Sequence, residues 1–340
     1  MEASVDPDFY FNVYSAVSSL SFCNDPSVNS NGKQTMILIG TINGKVLQWN
    51  LKSRKQICDI EYSLEHSKNP ILCLRTLLTD SKELLLVIQE RFSNVIYILK
   101  NVNGSWHRLK SLQLAKQHVG FCKADSLLDK LLAFPSGENS FEVAKVKNNG
   151  AATDFQLVSP VTEFEGCGTI TALKFSVIGE RQILFSLFEN GDLYVHNVDT
   201  INEKCSLQLL SKHQSIPMTP LTMCYDSDKL KGVIGGSEDF IWSFELRENH
   251  DQIEFHLEKK RQISTKGISS LVIRPDKKII VAGSWDSTLK LFSWLHPKKL
   301  KPLGALKFHS EGIEIVAATN DSKLIAAGSK DGKISFWNVY

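Results

Sequence analysis

The chain of 340 residues is poor in the features that mark enzymes, membrane proteins and nucleic-acid binders. Its seven cysteines form no Cys-x-x-Cys pair and are odd in number, so the sequence implies neither a disulfide frame nor a zinc site. Several sit inside apolar runs, as in Leu72-Cys73-Leu74 and Met223-Cys224-Tyr225. That is the pattern of buried reduced thiols in a reducing compartment. Charge of one sign is lacking too: 39 basic against 37 acidic residues leave +2, which removes the electrostatic case for sequence-independent nucleic-acid binding. The small basic runs Lys259-Lys260-Arg261 and Lys298-Lys299-Leu300-Lys301 read as solvated strand ends or loops. No uncharged apolar run approaches the roughly 18 residues needed to cross a bilayer. The acidic opening Met-Glu-Ala-Ser-Val-Asp-Pro-Asp lacks the basic-then-apolar form of a signal peptide. These readings predict a soluble protein of the cytoplasm or nucleus.

Catalytic signatures are equally scarce. There is no Gly-x-x-x-x-Gly-Lys-Ser/Thr phosphate loop and no Gly-x-Ser-x-Gly elbow. Gly166-Cys167-Gly168 opens like a dinucleotide fingerprint but precedes a strand pattern rather than a helix. The nine histidines are scattered, with His250 and His256 the nearest approach to a ligand pair. The chain is expected to have no catalytic residue, no cofactor and no metal, and not to be an enzyme.

What the sequence does contain is repetition. Residues 264–294 and 309–339 align without a gap, 45 residues apart, with nine of 31 positions identical. Both contain Ala-Gly-Ser-x-Asp, at Ala282–Asp286 and Ala327–Asp331, followed by an apolar strand ending in Phe292 or Trp337. Self-similarity at 40–50 residues with short β-like segments marks a propeller array. Polar turns recur along the chain at Asn43-Gly44, Ser93-Asn94, Glu138-Asn139, Asn190-Gly191, Glu238-Asp239, Asp286-Ser287 and Asp331-Gly332. They are about 48 residues apart on average and suit two-residue hairpins, in which Asn-Gly and Asp-Gly tolerate positive φ.

The expected fold is therefore all-β, a seven-bladed propeller forming one domain over 1–340. Blade cores are placed near 15–62, 66–114, 118–160, 164–213, 216–263, 264–308 and 309–340. The last unit stops after its third strand, which would leave an open edge. The strand-like segment Phe9–Tyr14, within 8–14, is predicted to close the ring by completing that blade. Asn24–Thr35 and Lys147–Thr153 read as surface loops.

These blades resemble the WD-repeat family. In that family a His before the first strand, a Ser/Thr on the second, an Asp in the next turn and a Trp on the third make a hydrogen-bonded chain. His309, Ser329, Asp331 and Trp337 match all four positions. The preceding blade keeps Ser284 and Asp286, with Phe292 for the Trp and Ser264 at the His position, and the first blade offers Thr41, Asn43 and Trp49. The resemblance makes His309, Ser329 and Asp331 a structural set rather than a hydrolase triad, because the spacing recurs with the repeat.

The last 75 or so residues, which include Ala282-Gly283-Ser284-Trp285-Asp286 and Phe336-Trp337, resemble the G-protein β-subunit-like protein 1 group more closely. That group is related to the fungal ASTRA-associated WD-repeat proteins. The resemblance implies a non-enzymatic adaptor that helps phosphatidylinositol-3-kinase-related kinases mature, beside a Tel2–Tti1–Tti2 co-chaperone and the Hsp90 machinery. It implies a monomeric propeller within a larger complex, with protein partners, no nucleic acid and no membrane. A true G-protein β role is not expected, since strand-like residues begin at Phe9 with no apolar heptads before them. The alternative is a substrate receptor of a cullin-type ubiquitin ligase, for which Trp49-Asn50-Leu51-Lys52 only approximates the usual Trp-Asp-x-Arg. In such a ring the residue before each turn Asp faces one common side. Ile42, Glu238, Trp285 and Lys330, with Arg91 and Phe92 in the second blade, are the candidate partner-binding residues, Trp and Arg being the usual anchors of interfaces.

Overall fold

Short apolar runs separated by tight turns satisfy their backbone groups most simply by pairing with the next run in the chain, and this sequence does so seven times. The computed structural model describes residues 6–23, 35–63, 67–128, 130–148, 153–158, 162–199, 205–249, 252–263, 267–296 and 300–339. His250, Ser264 and the Lys298-Lys299 pair, and most or part of the loops at Asn24–Thr35 and Lys147–Thr153, lie outside them. The strands form seven antiparallel sheets, each following the chain order, over 17–59, 71–118, 125–163, 170–213, 220–262, 268–307 and 313–337. The third sheet has a fifth, two-residue strand, Thr162–Glu163, paired with Ser140 and Phe141. No α-helix occurs among the described residues.

The predicted ring closure is present. The strand Phe9–Asn12 pairs with Lys333–Trp337 of the seventh blade, Phe9 opposite Phe336 and Asn12 opposite Lys333. The inner strand of that blade, Ile313–Ala318, packs on the first blade's inner strand, Val17–Cys23. The core is correspondingly divided into seven apolar layers, one between each pair of neighbouring blades. The repeated Ala-Gly-Ser has its cause here. A Cβ on Gly283 would come within 2.6 Å of Ile313, and one on Gly328 within 2.4 Å of Val17. Each glycine leaves room for the next blade's β-branched side chain, which is how the sheets approach closely.

The turns differ from the two-residue hairpins expected. In Thr41–Gly44, Phe188–Gly191 and Ser329–Gly332 the fourth N–H donates to the first carbonyl, and Gly44, Gly191 and Gly332 have positive φ whereas Asn43, Asn190 and Asp331 do not. These are three-residue loops, a turn followed by one left-handed residue. In the second blade the turn lies at Arg91-Phe92 rather than Ser93-Asn94, with Phe92 itself at φ 61° and Ser93 and Asn94 already in the strand.

None of the seven cysteines is in a disulfide, and six are buried. His196 is buried between the third and fourth blades, with Phe141 and Phe164 edge-on to its ring. Burial pushes its pKa down to about 4 from the ordinary 6.5. The unfolded chain therefore takes up this proton first. The stability owed to neutral His196 is complete above about pH 6.5 and falls as the pH drops towards 4, by about 3 kcal/mol in all. Denaturant melts of wild type and His196→Gln at pH 7 and pH 4.5 check this: the variant is expected to lose less stability on acidification. Equal losses would remove His196 as a cause.

Candidate partner-binding face

The polar chain of the seventh blade is built differently from the expectation. Trp337 Nε1 donates to Ser335 Oγ at 2.8 Å, and that hydroxyl lies 2.8 Å from His309 Nε2. His309 Nδ1 lies 3.0 Å from Asp331 Oδ2. With the indole donating to Ser335, the hydroxyl donates on to Nε2, leaving an Nδ1–H for the carboxylate. Ser335, not Ser329, is the link. Residues two apart on one strand share a face, so Ser335 sits beside Trp337. Ser329, at the end of the neighbouring strand, donates instead to the Glu311 carbonyl at 2.9 Å and accepts the Asp331 N–H at 3.2 Å. Burial lowers the His309 pKa against the opposing pull of Asp331. Burial works to raise Asp331, but the N–H groups of Lys333 and Ser310 and the imidazole outweigh it and hold the carboxyl below its usual range.

The sixth blade solves the same problem with a lysine. Asp286 accepts the Thr288 N–H and hydroxyl at 3.1 and 2.7 Å and pairs with Lys290 Nζ at 2.6 Å. Lys290 occupies the repeat position of Ser335. Ser284 caps the turn by donating to the Gly267 carbonyl at 3.1 Å. In the first blade Thr41 Oγ1 donates to Asn43 at 2.5 Å, but among the described residues the Trp49 indole N–H has no hydrogen-bond partner, and its ring stacks on Phe11 at 4.4 Å.

The ring surrounds a central channel of about 930 Å³. Ile42, Arg91, Trp285 and Lys330 line it and meet at the end marked by the turns between second and third strands. Trp285 is 45% exposed, with its ring laid across Gly267 and its backbone against Gly312. Lys330 Nζ reaches Glu314 at 3.3 Å. The Arg91 guanidinium lies 4.5 Å from the Phe92 ring centre and 3.7 Å from that of Phe121. Phe92 is exposed but does not line the channel. Glu238 turns into its own blade, where Oε1 accepts the Thr219 N–H at 2.9 Å and the Ser237 hydroxyl at 3.0 Å.

Sequence reasoning missed Phe121, which is 62% exposed, and the channel cations Arg75, Lys123 and Lys174. Arg75 and Lys174 left one trace in the sequence, a single charge inside an otherwise uncharged, mostly apolar inner-strand run. Among the described residues no three His, Cys, Asp or Glu side chains cluster as a metal site.

Known proteins bear on this geometry. The WD domain, G-beta repeat family matches residues 258–293 and 300–338. Guanine nucleotide-binding protein subunit beta-like protein 1 of Mus musculus is 28% identical over 340 residues, covering 96% of this chain and 93% of the relative. ASTRA-associated protein 1 is 25% identical in Schizosaccharomyces japonicus and 26% in Schizosaccharomyces pombe. Each of those matches covers 54% of this chain and 51% of the relative, about half its length. The β-propeller domain of Myceliophteria thermophila Cps50 (Swd1) superposes with a TM-score of 0.71 at 14% identity, over 98% of this chain and 99% of that one, and shows the fold. The chain is a seven-bladed propeller with WD40 repeats that resembles the G-protein β-subunit-like protein 1 and ASTRA-associated proteins.

Proposed function

We propose that this chain is a non-enzymatic adaptor that captures a protein partner at the channel mouth and works in the assembly to which the name of its ASTRA-associated relatives points. The finer reading, implied by the resemblance, is support for maturation of phosphatidylinositol-3-kinase-related kinases beside a Tel2–Tti1–Tti2 co-chaperone, in the cytoplasm or nucleus. One observation carries the capture site: exposed Ile42, Trp285 and Phe121 stand with Arg91 and Lys330 around one opening. Aromatic and arginine side chains at the centre of a contact dominate binding energy, whereas scattered surface apolar residues do not.

Trp285→Ala with Lys330→Glu is expected to weaken capture by about 2 kcal/mol or more and to leave the melting temperature nearly unchanged. Trp285 is half exposed, and the partly exposed Lys330–Glu314 pair contributes under about 1 kcal/mol. Affinity purification of tagged wild-type and double-variant protein, with mass spectrometry, is the test. Co-chaperone components or a large kinase recovered by wild type alone support the reading. Equal recovery by both removes this face, and a cullin adaptor in their place overturns the role.

A further inference from the structure

The channel wall carries charge that its own residues do not neutralise. Arg75, Lys123 and Lys174 line it from three consecutive blades, the second to the fourth. Arg75 Nη2 and Lys174 Nζ share one carboxylate, Asp125, at 2.6 and 3.2 Å. Asp125 is buried and also accepts the Phe175 N–H at 2.7 Å. Lys123 Nζ makes neither a hydrogen bond nor an ion pair among the described residues. The acidic groups acting on it are the Cys73 thiol, which burial keeps protonated, and Glu314, which Lys330 already engages at 3.3 Å. Three cations against one carboxylate leave two positive charges uncompensated, in a protein whose whole net charge is +2. Burial lowers the Lys123 pKa, the sign of an ammonium held without enough counter-charge.

We propose that Arg75, Lys123 and Lys174 form a binding site for the dianionic phosphate of a small phosphomonoester seated inside the channel. The charge matches, since a phosphomonoester carries about −1.5 to −2 at neutral pH. The size matches as well: about 930 Å³ lies within the range of small-molecule sites, roughly 300–1,000 Å³. The lining near the cations mixes hydroxyl side chains, among them Ser21, Thr76 and Thr171, with the half-buried Leu221, so both polar and apolar contacts are on hand for the body of the ester. A lone carboxylate would leave one charge unpaired. Extended nucleic acid meets neither the enclosed shape nor a basic exterior. The site stands independently of the partner assigned to the mouth.

The test is calorimetric titration of the full chain in phosphate-free buffer with phenyl phosphate, and in parallel with a phosphoserine hexapeptide. Phenyl phosphate is expected to bind, and Lys123→Met to weaken it by about tenfold or more, the loss of one charge-assisted hydrogen bond. The exposed-surface control Lys301→Met should bind as wild type. Lys123→Gln provides a second variant should the methionine impair folding; both are expected to melt no lower than wild type without phosphate. Peptide binding that also depends on Lys123 would show that the same phosphate site reads its group on a chain as well, which supports it. Silence from phenyl phosphate, or equal affinity in wild type and the Lys123 variants, overturns the site. Binding of the peptide alone overturns its assignment to a small molecule.

Discussion

Deletion of residues 1–14 is expected to yield protein that aggregates or is rapidly cut by protease, with any soluble fraction melting far below the full chain. The strand Phe9–Asn12 supplies the outer edge of the seventh blade through its pairing with Lys333–Trp337. Further backbone bonds bracket that pairing, from Asp8 N to the Phe336 carbonyl and from Val13 N to the Gly332 carbonyl, both 2.9 Å. Removing it bares a row of unpaired N–H and C=O groups on an apolar strand, a template for intermolecular pairing. It also strips the layer between the seventh and first blades. Phe11 is 3% exposed and packs with Ile37, Ile39, Ile334 and Phe336, while Phe9 stacks on Phe336 at 4.4 Å. Because each blade is stabilised by its neighbours, that loss reaches both sides of the closure. Phe11→Ala isolates the packing contribution and should alone cost about 3–5 kcal/mol, a large part of a typical folding free energy of about 5–15 kcal/mol. Thermal melts and limited proteolysis of both variants decide the matter; a truncated chain that melts like the full one would sink the closure role.

How far the sequence revealed this depends on whether a residue keeps its repeat register. The Ala-Gly-Ser-x-Asp units were legible because the blade-to-blade contact at Gly283 and Gly328 imposes the same glycine each time. The residues before the turn Asp were legible for the same reason, and Ile42, Trp285 and Lys330 do meet at one opening. Phe121 was not, since it lies in the connection between the second and third blades and answers to no repeat position. The second blade's turn was misplaced because Phe92 takes the left-handed conformation that sequence rules reserve for glycine and asparagine. Arg75 and Lys174 looked like isolated charges on separate strands, and Lys123 like one in the connection before the third blade. Only the closed ring turns them towards one space, and only the ion-pair geometry shows that Asp125 serves two of them. The error at Ser329 was avoidable, because Ser335 stands two residues before Trp337, where strand alternation puts it on the same face.

Asp331→Ala is expected to destabilise the chain by about 3 kcal/mol, since it removes a buried acceptor from several donors at about 1–3 kcal/mol for each one left unsatisfied. Side chains of Asp331 and His309 are only 4% and 2% exposed. The carboxylate accepts the Ser310 N–H at 3.1 Å and the Lys333 N–H at 2.9 Å besides the imidazole. Alanine leaves the half-buried Lys333 N–H and the buried His309 Nδ1–H without an acceptor, while the exposed Ser310 N–H can turn to water, and the cost of orphaned donors exceeds the value of the bonds themselves. Ser335→Ala should cost about 1–3 kcal/mol by orphaning the Trp337 N–H and His309 Nε2, and more than Ser329→Ala, which removes only a turn cap. That ordering separates the chain through Ser335 from one through Ser329, and denaturant melts of the three variants measure it. Partner capture by Asp331→Ala, assayed well below its melting temperature, should equal that of wild type. Stability unchanged with capture lost would move Asp331 from the scaffold to the binding surface and return the His–Ser–Asp set to functional consideration.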